Sequence, residues 1–241
     1  MRPGAAGGGV QLFTGRGGEH ATALLRGYSG VLQTDGYAAY RSFADPKRAG
    51  GPATLAFCCA HWRRQWFDLA KPPPAPIAAE ALKRIAELYE IEAEIRGKRA
   101  DERRVVRQEK TKPRVATLKT WLEKILVQVA SGSSIAQAIR YGLNHWDRLV
   151  RFLDDGRIEI DSNTVERSMR PIVLNRKNAL FAGSDEGAEN WAMLASLVET
   201  CKLHDVNPEA YLSDVLTKLV NNWPNSRLAE LTPWAWAAQH R

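Results

Sequence analysis

Apolar positions change their period several times along the chain, and each change marks an element. Val10 to Thr14 reads as a short strand, and Glu19 to Arg26 as a short helix. Ser29 to Thr34 is a β-branched and apolar run that ends at Asp35, so a second strand is expected there. Thr54 to Cys58 repeats the pattern. Ala60 to Ala70 then carries Trp62, Trp66, Phe67 and Leu69, the spacing of a helix laid on a sheet. Four prolines between Lys71 and Pro76 fit neither a helix interior nor a central strand and set a stiff boundary.

Beyond that boundary the period is helical. Leu82, Ile85, Leu88, Tyr89 and Ile95 form one stripe, Pro113 is expected to interrupt, and Leu118, Trp121, Leu122, Ile125, Leu126 and Val129 form the next. Ser131-Gly132-Ser133 turns the chain, and a single helix is expected from Ile135 to Leu153. Asp155-Gly156 is a turn signal, Arg157 to Ile160 a short strand, and Asp161-Ser162-Asn163 offers caps to a helix reaching about Leu174. Ala179 to Phe181 reads as extended. Trp191 to Cys201 forms a further helix, and Asn207-Pro208 caps a last one through Leu219.

Composition narrows the class. With 44% hydrophobic and 25% charged residues among 241, the chain has the balance of an ordinary globular protein rather than a disordered one. No apolar run reaches the ~20 residues of a membrane span, and the glycine-rich start lacks a signal-peptide core, so no membrane role is expected. Three cysteines make no disulfide framework, and the expected location is a reducing cytoplasm. The net charge is +7, and residues 96–119 hold ten basic against three acidic residues, which accounts for the whole excess. Such a run is either a solvated helix face or a polyanion site, most simply for DNA. Its members Arg96, Lys98, Arg99, Arg103, Arg104, Arg107 and Lys110 are candidate phosphate contacts, as are Arg167, Arg170, Arg176 and Lys177 further on.

Two carboxylates carry candidate chemistry. Asp35 leaves the end of an apolar strand with Gly36 behind it, a position suited to a metal ligand and equally to a polar turn. Glu166 either faces a metal or closes a capping box with Asn163 and pairs with Arg170 four residues on. Cys58-x-x-His61 and Cys201-x-x-His204 would together supply four zinc ligands, although Cys201 also fits the buried stripe of its helix.

The run Leu32 to Tyr40, the Cys58-x-x-His61 element with Arg63 and Arg64, the segment Ala138 to Tyr141, and the long block Phe152 to Arg167 occur in one order. Arg170-Pro171, Arg176-Lys177-Asn178, Leu180 to Ser184 and Glu199 to Leu203 follow. In this the chain resembles the transposases of the insertion sequence 66 family over about residues 10–220.

The resemblance implies an α/β fold: a ribonuclease-H-like core, truncated at its first strands, with a large all-helical insertion and a helical C-terminus. Residues 1–71 would begin the core, 72–153 form the insertion, and 154–241 complete the core with the glutamate helix. It further implies a DDE-type enzyme in which two Asp and one Glu hold two Mg²⁺ (or Mn²⁺) ions for in-line phosphoryl displacement. Water first frees a 3′-hydroxyl at the transposon end, and that hydroxyl then attacks target DNA. The family pattern maps onto Asp35 and Glu166 as catalytic metal ligands, and onto Cys58 and His61 as groups standing behind them. Its first Asp falls ahead of Arg2-Pro3, so the expectation is the C-terminal part of such an enzyme, carrying two of the three carboxylates. A non-catalytic DNA-binding remnant or regulator is the alternative. DNA ends and target, a homo-oligomer on DNA and accessory proteins of the same element are the expected partners.

Overall fold

Two short parallel strands organise the larger part of the protein. The computed structural model describes Gly9 and residues 18–71, 75–179 and 184–240, with the side chains of 172–179 and 185 excepted. Strand β1 (Val31–Thr34) pairs in register with β2 (Thr54–Phe57), Val31 opposite Thr54 and Thr34 opposite Phe57. Helix α1 (Gly18–Leu24) precedes β1, and a 3₁₀ turn (Ala38–Ala44) lies between the strands. The loops below the sheet are tied by Arg48, whose guanidinium donates to the carbonyls of Leu25, Tyr28 and Gly51.

Helix α2 (Cys59–Leu69) leaves β2 without a linker. Helices α3 (Pro76–Glu94), α4 (Ala100–Val106), α5 (Lys112–Leu126), α6 (Ser134–Asn144) and α7 (Trp146–Leu149) follow. Apolar residues of α2, α3, α5, α6 and α7 and of the strands share one buried cluster, which includes Leu55, Phe57, Trp62, Trp66, Ile85, Leu118, Leu122 and Ile139. The approach of α6 to α2 is close because Gly142 has no side chain: a Cβ there would lie 2.6 Å from the Trp62 ring. The Trp62 indole N–H donates to the Ala138 carbonyl at 3.0 Å.

Three expectations are corrected within this unit. Pro113 does not interrupt the helix. A π-type turn (Arg107–Thr111) joins α4 to α5, and Pro113 sits in the first turn of α5, where its missing N–H is tolerated. The single helix expected from Ile135 to Leu153 breaks at His145 (φ −114°, ψ 14°) after the weak helix formers Gly142 and Asn144. The break lets Trp146 meet Trp62 edge-on at 6.2 Å. Arg157 to Ile160 is turn and bend rather than strand. The carbonyls of Asp155 and Ile158 are taken by the Arg107 guanidinium, at 3.3 and 2.9 Å, and are not offered to a ladder.

The described residues divide into two compact units, one within 17–165 and one within 166–241. Helix α8 (Asn163–Ala179) contains Pro171 and runs past the expected end, so Ala179 is helical. The expected strand Val10 to Thr14, most of the proline run, and Leu180 and Phe181 lie outside the described residues. In the second unit Ser184 caps α9 (Asp185–Leu203) by accepting from Gly187 N–H at 3.0 Å, and Asn207 caps α10 (Pro208–Val220). A 3₁₀ turn (Asn225–Leu231) leads to α11 (Pro233–Gln239). Cys201, Val206, Tyr211, Val215, Leu231 and Ala237 form its core. The Tyr211 hydroxyl donates to the Leu231 carbonyl at 2.7 Å. The protein is thus mostly helical with a small parallel sheet, a mixed α/β architecture. No helix among the described residues is long and apolar enough to cross a membrane.

Candidate metal and DNA site

Asp35 and Cys58 occupy equivalent places, each the first residue beyond the carboxyl end of its strand. The Cys58 N–H donates to the Thr34 carbonyl at 2.9 Å, which extends the strand pairing to this point. In parallel sheets ligands gather outside the carboxyl ends of strands. The Asp35 carboxylate is exposed, and its Oδ1 accepts from the Tyr37 N–H at 2.9 Å, closing a turn that fixes its direction. Gly36 makes that turn possible with φ +88°, and a Cβ there would meet the Tyr141 hydroxyl at 2.5 Å.

The segment leading to α8 runs along the same edge. Gln33 Nε2 donates to the Glu159 carbonyl at 2.8 Å, and the Cys59 N–H to the Ile160 carbonyl at 3.0 Å. The Ser162 N–H donates to Cys58 Sγ at 3.3 Å. The buried Cys58 therefore holds the residue just before α8 by its side chain, while His61 sits half-buried in the first turn of α2. Asp161 accepts from the Asn163 N–H (3.0 Å) and side-chain amide (2.7 Å), which fixes the entry to α8. Glu166 stands exposed in the first turn of that helix. Burial pushes the Cys59 thiol up to about 12, with Cys58 and Asp161 adding to the effect. The Tyr89 phenol is also raised, first by burial and then by the Cys59 and Asp161 charges.

A third group, not signalled by spacing, surrounds Asp35. The Tyr141 hydroxyl donates to the Asp35 carbonyl at 3.2 Å. The Tyr141 ring meets His145 edge-on at 5.0 Å, and His145 meets Phe57 at 5.1 Å. The Arg148 guanidinium lies 5.4 Å above the Phe57 ring. Burial, then the Asp35 charge, raises the Tyr141 phenol. Burial, then the positive charges of Arg148 and Arg41, lowers the His145 imidazole. Residues this far apart in the chain give no local pattern, although Tyr141 lies in one of the blocks that carry the family resemblance.

The basic run divides. Arg107 is fully buried, and its guanidinium makes a fork-to-fork pair with Glu92 (2.8 and 2.7 Å) and donates to the Phe152 carbonyl at 2.8 Å. It is a structural tie, and its assignment as a DNA contact is corrected: no phosphate can reach a group already enclosed and saturated. Arg103 is paired with Glu159, both bonds 2.6 Å, and Lys110 with Glu94 at 2.9 Å. Arg99 pairs with Asp101 at 3.2 Å in open solvent. Arg96 and Lys98 are exposed at the turn between α3 and α4, and Arg104 is exposed on α4. Arg167 and Arg170 are exposed on α8, while the side chains of Arg176 and Lys177 lie outside the described residues. Cys201 is a core residue of the second unit.

Residues 10–190 match the family model described as the transposase IS66 family, and residues 196–234 match the IS66 C-terminal element. The chain belongs to the IS66 transposase family. Among its relatives are three uncharacterized proteins of Sinorhizobium fredii. The first, y4qI, is 45% identical over 91% of this chain and 41% of its own length. The second, y4jD, is 43% identical over 92% and 44%, and the third, y4hP, is 41% identical over 92% and 42%. The chain therefore spans under half the length of these relatives. No solved structure matches it.

Proposed function

We propose that this chain supplies part of the catalytic apparatus of a DDE-type transposase, with Asp35 and Glu166 as metal-holding carboxylates in a ribonuclease-H-like setting. The observation that carries the reading is the exposed Asp35 carboxylate, oriented by the Tyr37 N–H at the carboxyl end of a parallel strand, in a chain of this family. The donor chemistry fits Mg²⁺ or Mn²⁺. Carboxylate oxygens suit these hard ions, whereas Cys58 is buried and engaged with Ser162, so its thiol serves the frame.

Bound divalent ions would activate the attacking oxygen and stabilise the leaving one in a phosphodiester displacement. The protein's own contributions are orientation and electrostatics. The Tyr37 N–H holds one oxygen of the exposed Asp35 carboxylate. The Tyr141 hydroxyl pins the Asp35 backbone. Cys58 and Asp161 fix the start of the helix that bears Glu166. Exposed Arg96, Lys98, Arg104, Arg167 and Arg170 supply positive charge to draw DNA, and binding should weaken steeply with salt.

Mn²⁺ titration by calorimetry tests the carboxylates. The chain is expected to bind Mn²⁺, and Asp35→Asn and Glu166→Gln are each expected to weaken binding at least tenfold while melting as the parent does. Undiminished binding in both variants would remove the metal-site reading. Salt-sensitive DNA binding without any metal binding would favour the alternative, a DNA-binding regulator.

A further inference from the structure

Among the described residues of the larger unit, three aromatic side chains stand well out in solvent: Tyr28, Tyr37 and Phe67. The fold accounts for two of them. The Tyr28 hydroxyl donates to the Val31 carbonyl at 2.6 Å, and its ring lies against Gly30. Phe67 is covered by the Lys71 ammonium, 5.5 Å from its ring centre. Tyr37 has neither kind of partner. It is 55% exposed, its hydroxyl makes no hydrogen bond among the described residues, and no cation lies over its ring there.

The Tyr37 ring is nevertheless supported. It meets Tyr40 edge-on at 6.3 Å and 77°, and Tyr40 meets the buried Phe43 at 6.2 Å. The Arg48 guanidinium lies 4.8 Å from the Phe43 ring centre and is itself tied to the loops below the sheet. An edge-on contact engages one edge or one face of a ring, so at least one face of Tyr37 is open. A supported aromatic plane with an open face suits a nucleobase, because every base presents a π face of its own. Position favours that occupant. Tyr37 lies two residues past Asp35, at most about 7 Å along the backbone, and its own N–H holds the Asp35 carboxylate at 2.9 Å. A phosphodiester brought to Asp35 carries its bases within reach of this ring. Bases inside a duplex are covered on both faces by their neighbours, so the one that stacks here is unpaired.

We propose that Tyr37 is a stacking platform for an unpaired nucleobase of the DNA strand whose phosphodiester lies at Asp35. This rests on the DNA-processing reading of Asp35 and adds a preference for unpaired DNA at that place.

The test is fluorescence-anisotropy binding of the full 241-residue chain to a fluorescein-labelled single strand of mixed sequence and to the matching duplex, in EDTA, across a salt series. Tyr37→Ala is expected to bind the single strand about tenfold more weakly, and the duplex less than about twofold more weakly. Tyr37→Phe keeps the ring and should bind both as the parent does. The salt dependence of both variants should match the parent's, since no charge is lost. A strand of abasic nucleotides keeps the phosphates without the bases, and it should bind the parent and Tyr37→Ala alike. If the parent binds DNA and Tyr37→Ala matches it on the single strand, the platform is wrong and the DNA reading stands. An equal loss on the duplex or on the abasic strand would show an effect that needs no unpaired base, and would overturn the platform. So would a loss in Tyr37→Phe as large as in Tyr37→Ala, which would assign the effect to the hydroxyl. If the parent binds neither DNA at any salt concentration, the platform and the DNA reading fall together.

Discussion

Asp155 shows how a single side chain controls a turn. Its Oδ1 accepts from the Arg157 N–H at 2.9 Å, and its carboxylate receives the Arg157 guanidinium, with Nη2 to Oδ2 at 2.6 Å. The Arg157 hydrogen bond holds the Asp155 carboxyl well down, at about 2. A depressed folded-state value stabilises the fold above the unfolded value near 3.8, and the contribution is lost as pH falls through about 2. Asp155→Asn keeps the backbone turn and loses the charge. Its melting temperature is expected below the parent's at pH 6, with the gap narrowing from pH 4 to pH 3. A gap independent of pH would show that the ionised pair contributes nothing. The surface nature of Arg157 keeps the effect modest. The turn itself was legible from Asp155-Gly156, whereas the identity of the carbonyl partners around it was not, because they are taken by Arg107, nearly fifty positions earlier.

The helical elements depend on that same Arg107. It projects from the π-type turn between α4 and α5, pairs with Glu92 of α3, and donates to the Phe152, Asp155 and Ile158 carbonyls. One guanidinium thereby joins α3, the α4–α5 turn and the segment approaching α8. Arg107→Met would leave the buried carbonyls without this donor and the Glu92 carboxylate with only the longer Arg103 contact at 3.6 Å, and a loss of about 3–5 kcal/mol in unfolding free energy is expected by urea denaturation. Arg107→Lys keeps the charge and loses the fork, so an intermediate loss is expected. A loss below about 1 kcal/mol in Arg107→Met would mean the site relaxes or admits water. Periodicity located these helices well, because their stripes of Ile, Leu and Trp are local signals. It misjudged Pro113, Arg107 and Arg157 to Ile160, since a helix that absorbs a proline and a charge that is buried depend on partners distant in sequence. Asp35 was legible as a strand-end carboxylate and Tyr141 only as part of a resembling block.

At the scale of the whole molecule the two units differ in how much apolar surface they enclose. Among the described residues, the larger unit buries aromatic and aliphatic residues from α2, α3, α5, α6 and α7 around the strands. Among the described residues, the smaller gathers six hydrophobic residues in its core and leaves Met193, Leu194, Leu216 and Val220 exposed, the last at 80%. Burial of apolar surface is the main favourable term in folding, so opening free energies should follow these cores. Native-state hydrogen exchange of the full chain is expected to show the amides of α10 opening at lower free energy than those of α3 and α5. Urea should move the first group toward exchange before the second, and calorimetry should depart from a single two-state transition. Coincident opening of all three helices would mean that the small core is coupled to the large one, and that the chain folds as one cooperative body. That outcome would also bear on α8, which starts in one unit and continues into the other. Glu166 lies on its first turn, so a chain that opens in two steps would lose the bearing of that carboxylate before it loses the turn that orients Asp35. Mn²⁺ affinity followed through the urea series separates the cases: an early loss goes with stepwise opening, and a loss at the main transition with a single cooperative fold.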